Sequence, residues 1–280
     1  MRPLTPRQQE LKATLDSLYD RYLSDFRKDP ARFFVRRRDP LLFPHRYSAF
    51  CDIEAAAFLA ATFAYGNVSS LCAFIESLLG RLRPSPGEFL RRGPEAVREL
   101  ASHKPYYRLH KQDEILALLR TLAAVYARHG SLYELFTLSY DTNSTMRINL
   151  SAFTARLREI GGAELKFLVP SPESGSTCKR LLLFLRWMVR RDGIDFGLWR
   201  VVPPAQLVMP VDTHIGRVAR RLRWIRTPSL TWQKAEQITD VLRRFDPDDP
   251  VRYDFSLCHE SMDRRREATT KSPRTPSAQR

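Results

Sequence analysis

A chain of 280 residues, 43% hydrophobic and 28% charged, is an ordinary globular mixture long enough for one large domain or two small ones around a core. That balance excludes a fully disordered chain, and no run approaches the roughly 18 uninterrupted apolar residues of a membrane span, so no membrane partner is expected. Lysine and arginine number 46 against 31 acidic residues, a net charge of +15, which fits a polyanionic partner such as nucleic acid; a solvated charged face is the alternative. Only 11 glycines are present, which argues for helices over a glycine-rich nucleotide-binding sheet. Cys51, Cys72, Cys178 and Cys258 are too scattered for a zinc or cluster box. Walker A, HExxH, GxSxG and GxGxxG patterns do not occur, so no metal and no cofactor is expected.

The helical period dominates from the start. Thr5-Pro6-Arg7-Gln8 has the form of a capping box with proline at the first helical position, and Leu11, Leu15, Leu18, Tyr22 and Phe26 follow at three- and four-residue spacing. Asp52 is expected to cap a second helix through Glu54-Ala55-Ala56-Ala57, ending near Tyr65-Gly66-Asn67. A third runs from Val68 to Leu82, and another from Lys111 to His129, stopped by Gly130. Ser131-Leu132-Tyr133-Glu134 opens the next, and further patterns cover 145–160, 178–191, 213–223 and 232–244. Strand-like alternation is almost absent, which makes the fold class all-α. Residues 263–280 carry six basic and two acidic residues and no large apolar one, so a disordered basic tail is expected there and +11 remains for the folded part.

Chemistry concentrates between Leu168 and Leu222. Gly175-Ser176-Thr177 is expected to open a helix whose free amides and positive dipole end hold a phosphate. Lys179 falls in its first turn, where the dipole disfavours a cation, and a neutral amine is what attack on a sugar carbon requires. Asp212, directly before Thr213, reads as an N-cap or as a carboxylate at the mouth of the following helix. The plainer alternative is a solvated Lys179 and a purely capping Asp212. Arg186, Arg190 and Arg191 with Trp187 are candidates for a basic and aromatic surface along a DNA strand, with solvated arginines on an amphipathic helix as the alternative. Phe196 and Trp199, with Asp195, are candidates for sandwiching an extruded base, against core packing. Asp246, Asp248 and Asp249, interleaved with prolines, read as a turn and not as a metal site.

Pro210-Val211-Asp212-Thr213-His214-Ile215, followed by Arg217-Val218 and Arg221-Leu222, resembles the signature of the helix-hairpin-helix DNA glycosylases. The resemblance implies a hairpin ending in a catalytic lysine, best matched by Lys179, which attacks the deoxyribose C1′ and forms a Schiff base while Asp212 assists departure of the base. The 33 positions from Lys179 to Asp212 are similar to the archaeal 8-oxoguanine glycosylase branch. Implied DNA contacts are Gly175, Ser176, Thr177, Arg180, Arg186, His214 and Arg217, with Trp187, Phe196 and Trp199 as base-pocket candidates. The chain departs from the pattern in having Gly175 alone where a hairpin carries G-x-G, and in lacking the four-cysteine iron–sulfur box of the endonuclease III branch. Ala64-Tyr65-Gly66-Asn67, Lys179-Arg180, Leu185-Arg186-Trp187-Met188-Val189-Arg190, Gly197-Leu198-Trp199 and Asp246-Pro247-Asp248-Asp249-Pro250 before Tyr253-Asp254-Phe255 also resemble a bacterial family of unassigned function.

The expected architecture is two helical subdomains, 50–190 ending in the hairpin-like motif and 1–49 plus 195–262, with Lys179 and Asp212 at the cleft between them. The expected activity is excision of damaged bases from double-stranded DNA with a lyase step, or DNA binding without catalysis on the same fold. Residues 1–20 carry charges throughout and have no apolar signal core, which points to a cytoplasmic, nucleoid-associated protein, expected as a monomer.

Overall fold

The computed structural model describes residues 3–258 except residues 38, 104–106 and 109. The tail expected over 263–280 lies outside the described residues. Among the described residues the structure is helical, and β pairing is confined to two isolated bridges, Tyr107 with His110 and Arg191 with Phe196. The all-α expectation therefore holds.

The local rules read from the sequence account for most helix ends. Helix α1 (Pro6–Lys28) begins with the reciprocal capping box: Thr5 Oγ1 accepts from the Gln8 amide at 3.3 Å and the Thr5 amide donates to Gln8 Oε1 at 3.0 Å. Its face of Leu15, Tyr19, Tyr22 and Phe26 is buried, and α2 (Pro30–Arg37) folds back so that Phe33 and Phe34 meet Phe26 edge-on. Asn67 caps α4 (Val68–Leu79), and Gly130, at φ +84°, ends α6 (Gln112–His129). Ser131 caps α7 (Leu132–Thr137) and Thr145 caps α8 (Met146–Gly161).

The core is built around α3 (Phe50–Thr62). From Ile53 to Thr62 every residue is buried, so the helix has no polar face and must be surrounded. It packs against α5 (Pro86–Arg91), against the turns over 40–46, and against α9 (Lys179–Val189). Asp52 is not its cap: the helix starts at Phe50, two residues earlier, and the Asp52 carboxylate instead accepts the Gly87 amide of α5 at 2.7 Å. Gly87 is required by that approach, since a Cβ there would lie 2.8 Å from Asp52 Oδ1 and from Cys51. The remaining helices are α10 (Thr213–Arg221) and α11 (Trp232–Arg243).

One buried acid ties the core elements together. Glu54 on α3 is fully buried and receives four donors: Tyr126 Oη from α6 at 2.8 Å, the Leu132 and Tyr133 amides that open α7 at 2.7 and 2.9 Å, and Trp199 Nε1 at 2.9 Å. Burial pushes its carboxyl up to about 7, while all four hydrogen bonds favour the charged form. Glu54→Leu keeps the volume but leaves those donors buried and unpaired. Each unpaired group costs about 1–3 kcal/mol, so urea unfolding should show a loss of at least about 3 kcal/mol; a loss below about 1 kcal/mol would contradict this role.

Candidate functional site

Helix α9 runs through the interior with Leu181 to Val189 buried on all sides. Two buried arginines one turn apart, Arg186 within that length and Arg190 at its C-cap, are held by carboxylates. Arg186 pairs with Asp254 and, at 3.2 Å, with Asp195, and its guanidinium carbon lies 4.2 Å from the centre of the Phe255 ring. Arg190 pairs with Asp195, with Asp192 at 3.0 Å and with Asp249 at 3.0 Å, and donates to Tyr19 Oη at 2.9 Å. Burial without such pairing would be prohibitive for either charge. Arg186 therefore does not contribute to a DNA-facing surface, contrary to expectation: at 2% exposure it is an internal ion pair that joins α9 to the C-terminal segment.

The first turn of α9 carries the two cations that face outward from this core. Lys179 is its first residue and donates from Nζ to the Ala64 carbonyl at 3.3 Å. Arg180 donates from Nη1 to the Thr62 carbonyl at 2.9 Å and from Nη2 to the Phe167 carbonyl. Burial pulls Arg180 below its ordinary value. The helix begins later than expected. Gly175, Ser176 and Thr177 form a loop and not a first turn, and Cys178 takes the N-cap position in the left-handed region at φ +50°, with no side-chain cap. The loop is pinned by Cys178, whose amide donates to Ser176 Oγ at 3.1 Å and whose thiol donates to the Pro170 carbonyl at 3.4 Å. The amide of Trp232 at the start of α11 reaches the Gly175 carbonyl at 3.2 Å.

Asp212 is the N-cap of α10, its Oδ1 accepting from the His214 and Ile215 amides at 2.8 and 2.9 Å. It is half-buried, as are Lys179 and His214, while Arg217 is exposed. Lys179 and Asp212 come into one electrostatic neighbourhood through the C-terminal segment. Burial pushes the Asp254 carboxyl above its usual range; Arg186 and Lys179 oppose that shift and the Asp212 charge adds to it. The Cys258 thiol, raised well above its ordinary value by burial, feels the same Lys179, Asp212, Asp254 and Arg186. The charges of Lys179, Asp212 and Arg186 thus act on the buried Asp254, which pairs directly with Arg186.

The aromatic candidates are elsewhere. Trp187 and Trp199 are fully buried, and Trp199 spends its indole N–H on Glu54, so neither offers a free ring face. Phe196 is partly buried with its ring 4.4 Å from that of His45. Asp246 closes a turn by accepting the Asp248 and Asp249 amides at 3.2 and 3.0 Å, as expected. Two features passed unassigned in the sequence. Asp254 appeared only within a family-like motif, although an arginine inside an unbroken apolar run demands an acid. Tyr65, Arg108, His110 and Phe167 gather around Arg180 with no sequence signal, being distant in the chain.

The sequence model of a family described as a protein of unknown function, DUF2400, matches residues 39–263. No curated protein and no solved structure matches. No described helix is long and apolar enough to cross a membrane.

The cap geometry of Asp212 has a measurable consequence for stability. Asp212→Ala should lower the unfolding free energy by about 1 kcal/mol, whereas Asp212→Asn, which keeps an accepting oxygen, should change it little. Equal losses in both variants, followed by urea unfolding, would mean that the carboxylate charge and not the cap stabilises the fold.

Proposed function

The chain belongs to the DUF2400 family of unknown function, and since that membership names no chemistry, we propose a reading from the site itself: a DNA glycosylase of the helix-hairpin-helix type, with a Schiff-base lyase step, acting on damaged double-stranded DNA. The observation that supports it is that Lys179 opens α9 and Asp212 caps α10, both half-buried, with both charges acting on the buried Asp254. An amine and a carboxylate that share one neighbourhood are the two groups that displacement at a sugar carbon needs. In this reading Lys179 Nζ bonds to C1′ as the C1′–N bond to the base breaks, and the base leaves with the electron pair and takes a proton. Asp212 stabilises the positive charge that develops on the sugar and receives the proton released by the attacking amine. Opening of the sugar ring then gives the imine.

The DNA surface in this reading comprises the Gly175-Ser176-Thr177 loop, Arg180, His214 and Arg217. It is supported by the exposure of Gly175 and Arg217 and by the +15 charge of the chain. The division into 50–190 and 1–49 plus 195–262, with the site between them, belongs to the same proposal, as does a monomeric, cytoplasmic, nucleoid-associated protein. A second reading, DNA binding without catalysis, is favoured by one observation: Asp212 Oδ1 is already occupied by two backbone amides.

Borohydride reduction of the imine separates the two readings. Wild-type protein should be trapped covalently on duplexes carrying an abasic site or 8-oxoguanine, and Lys179→Gln should abolish trapping while leaving DNA affinity nearly unchanged. Asp212→Asn should slow base release by roughly 10²–10⁴-fold, the range of a positioned acid or base. Binding should weaken steeply with salt. Salt-sensitive binding with no trapping on any lesion would select the non-catalytic reading, and trapping that survives Lys179→Gln would assign the nucleophile elsewhere.

A further inference from the structure

Beside Lys179, and apart from Asp212 and Asp254, lies a cluster that the reaction above does not use. Phe167, between α8 and the 175–178 loop, is 55% exposed, unusual for a phenylalanine in a well-packed fold. The Arg180 guanidinium carbon lies 5.0 Å from the centre of its ring and 5.4 Å from that of Tyr65. Arg108, in the left-handed region at φ +55°, places its own guanidinium carbon 5.8 Å from the Tyr65 ring centre. It does so across Gly66, where a Cβ would lie 1.8 Å from Arg108 Nη1, so the glycine makes room for this arginine. Lys179 joins the same edge through its bond to the Ala64 carbonyl.

The charges and polar atoms of this cluster are unbalanced. Among the described residues no carboxylate forms a salt bridge with Arg108, Lys179 or Arg180; Glu114, whose charge acts on Tyr65, is engaged with His110 Nδ1 at 2.7 Å. Tyr65 Oη and His110 Nε2 are buried without a hydrogen-bond partner, and their rings stand 5.9 Å apart. An apolar partner would cover Phe167 and strand the cations, while a phosphate alone would leave the aromatic face unused. A ligand with a flat π face, an anionic group and polar edges meets all of these features, and a nucleotide is such a ligand.

We propose that the Tyr65–Phe167 shelf, bordered by Arg108, Arg180 and Lys179, is a binding site for one unpaired nucleotide of a DNA strand, its base stacked on Phe167 and its phosphate against Arg108. The proposal rests on the reading that this protein binds DNA, and it assigns a site that adjoins the Lys179–Asp212 centre at Lys179. It also gives a role to Gly66, whose missing side chain lets Arg108 close over Tyr65.

Fluorescence anisotropy with two duplexes of equal length, one fully paired and one carrying a single bulged nucleotide, tests it on the full chain. Wild-type protein should bind the bulged duplex about 10-fold more tightly, the scale of one base stacked on an aromatic ring. Phe167→Ala, at an exposed position, should reduce that preference to within about 2-fold without changing affinity for the paired duplex, and Arg108→Gln should weaken it in the same sense. No preference in the wild type, or a preference that survives Phe167→Ala, would overturn the proposal. Displacement of the bulged duplex by free deoxynucleoside monophosphate, with the same dependence on Phe167, would overturn the assignment to a strand. Loss of the preference with covalent trapping intact removes this site alone; failure of trapping with the preference intact removes only the glycosylase reading; failure to bind any DNA removes both.

Discussion

Two guanidinium groups inside the protein, those of Arg186 and Arg190, constrain how every other part of the site can be arranged. Removing a charge from water costs several kcal/mol per ion even after relaxation, so α9 can occupy the interior only with its acids in place. Asp195 serves both arginines, Asp254 completes Arg186, and Asp192, Asp249 and Tyr19 complete Arg190. These partners come from α1, from the turn after α9 and from the last described segment, so the network fixes three stretches of chain relative to one helix. The start of α9 lies seven residues from Arg186, about 10 Å along a helix axis. Its position relative to the C-terminal segment is therefore set by buried ion pairs and not by a flexible loop. A lysine delivered to that point is held by a rigid element, which is where a reacting group needs to be.

Helix boundaries were largely legible in the sequence because they depend on local chemistry. The capping box at Thr5, the cap at Ser131 and the stop at Gly130 are each decided within a few residues. What the sequence could not weigh was tertiary use of the same residue types. Asp52 has the form of a cap, yet α3 starts earlier and the carboxylate reaches α5, a contact 35 positions away. The first turn expected at Gly175 is instead a loop held by α11, a partner outside any local window.

The arginines and tryptophans on and just after α9 show the same division. A helical period can mark Arg186 as lying beside Leu185 and Trp187, but it cannot say whether the helix has a wet face. The clue was available in Leu181 to Val189, a run too apolar to leave one side in water, which forces any charge within it to be paired. The four aspartates at 192, 195, 249 and 254 were the only question that remained, and the fold answers it. Trp199 follows similarly: an indole N–H that becomes buried needs an acceptor, and the buried Glu54 is that acceptor. Asp212 was legible as a cap because it directly precedes the helix whose first amides it accepts, whereas Lys179 was singled out by the resemblance and a helix start placed too early.

The first turn of α9 now carries two obligations at once. Lys179 turns toward the Ala64 carbonyl and the field of Asp254, while Arg180, its neighbour, braces the Thr62 and Phe167 carbonyls and lies against Tyr65. Both side chains therefore bind the same short stretch at the end of α3, residues 62–65, from adjacent positions on one turn. A ligand on Tyr65 or Phe167 would meet Arg180, which bonds the Thr62 carbonyl two residues before the carbonyl that holds the Lys179 amine. The link is short, made of hydrogen bonds and ring contacts, and runs between two rigid helices. In the proposed reading, a strand on the aromatic shelf and a sugar at Lys179 would both be positioned by the first turn of α9.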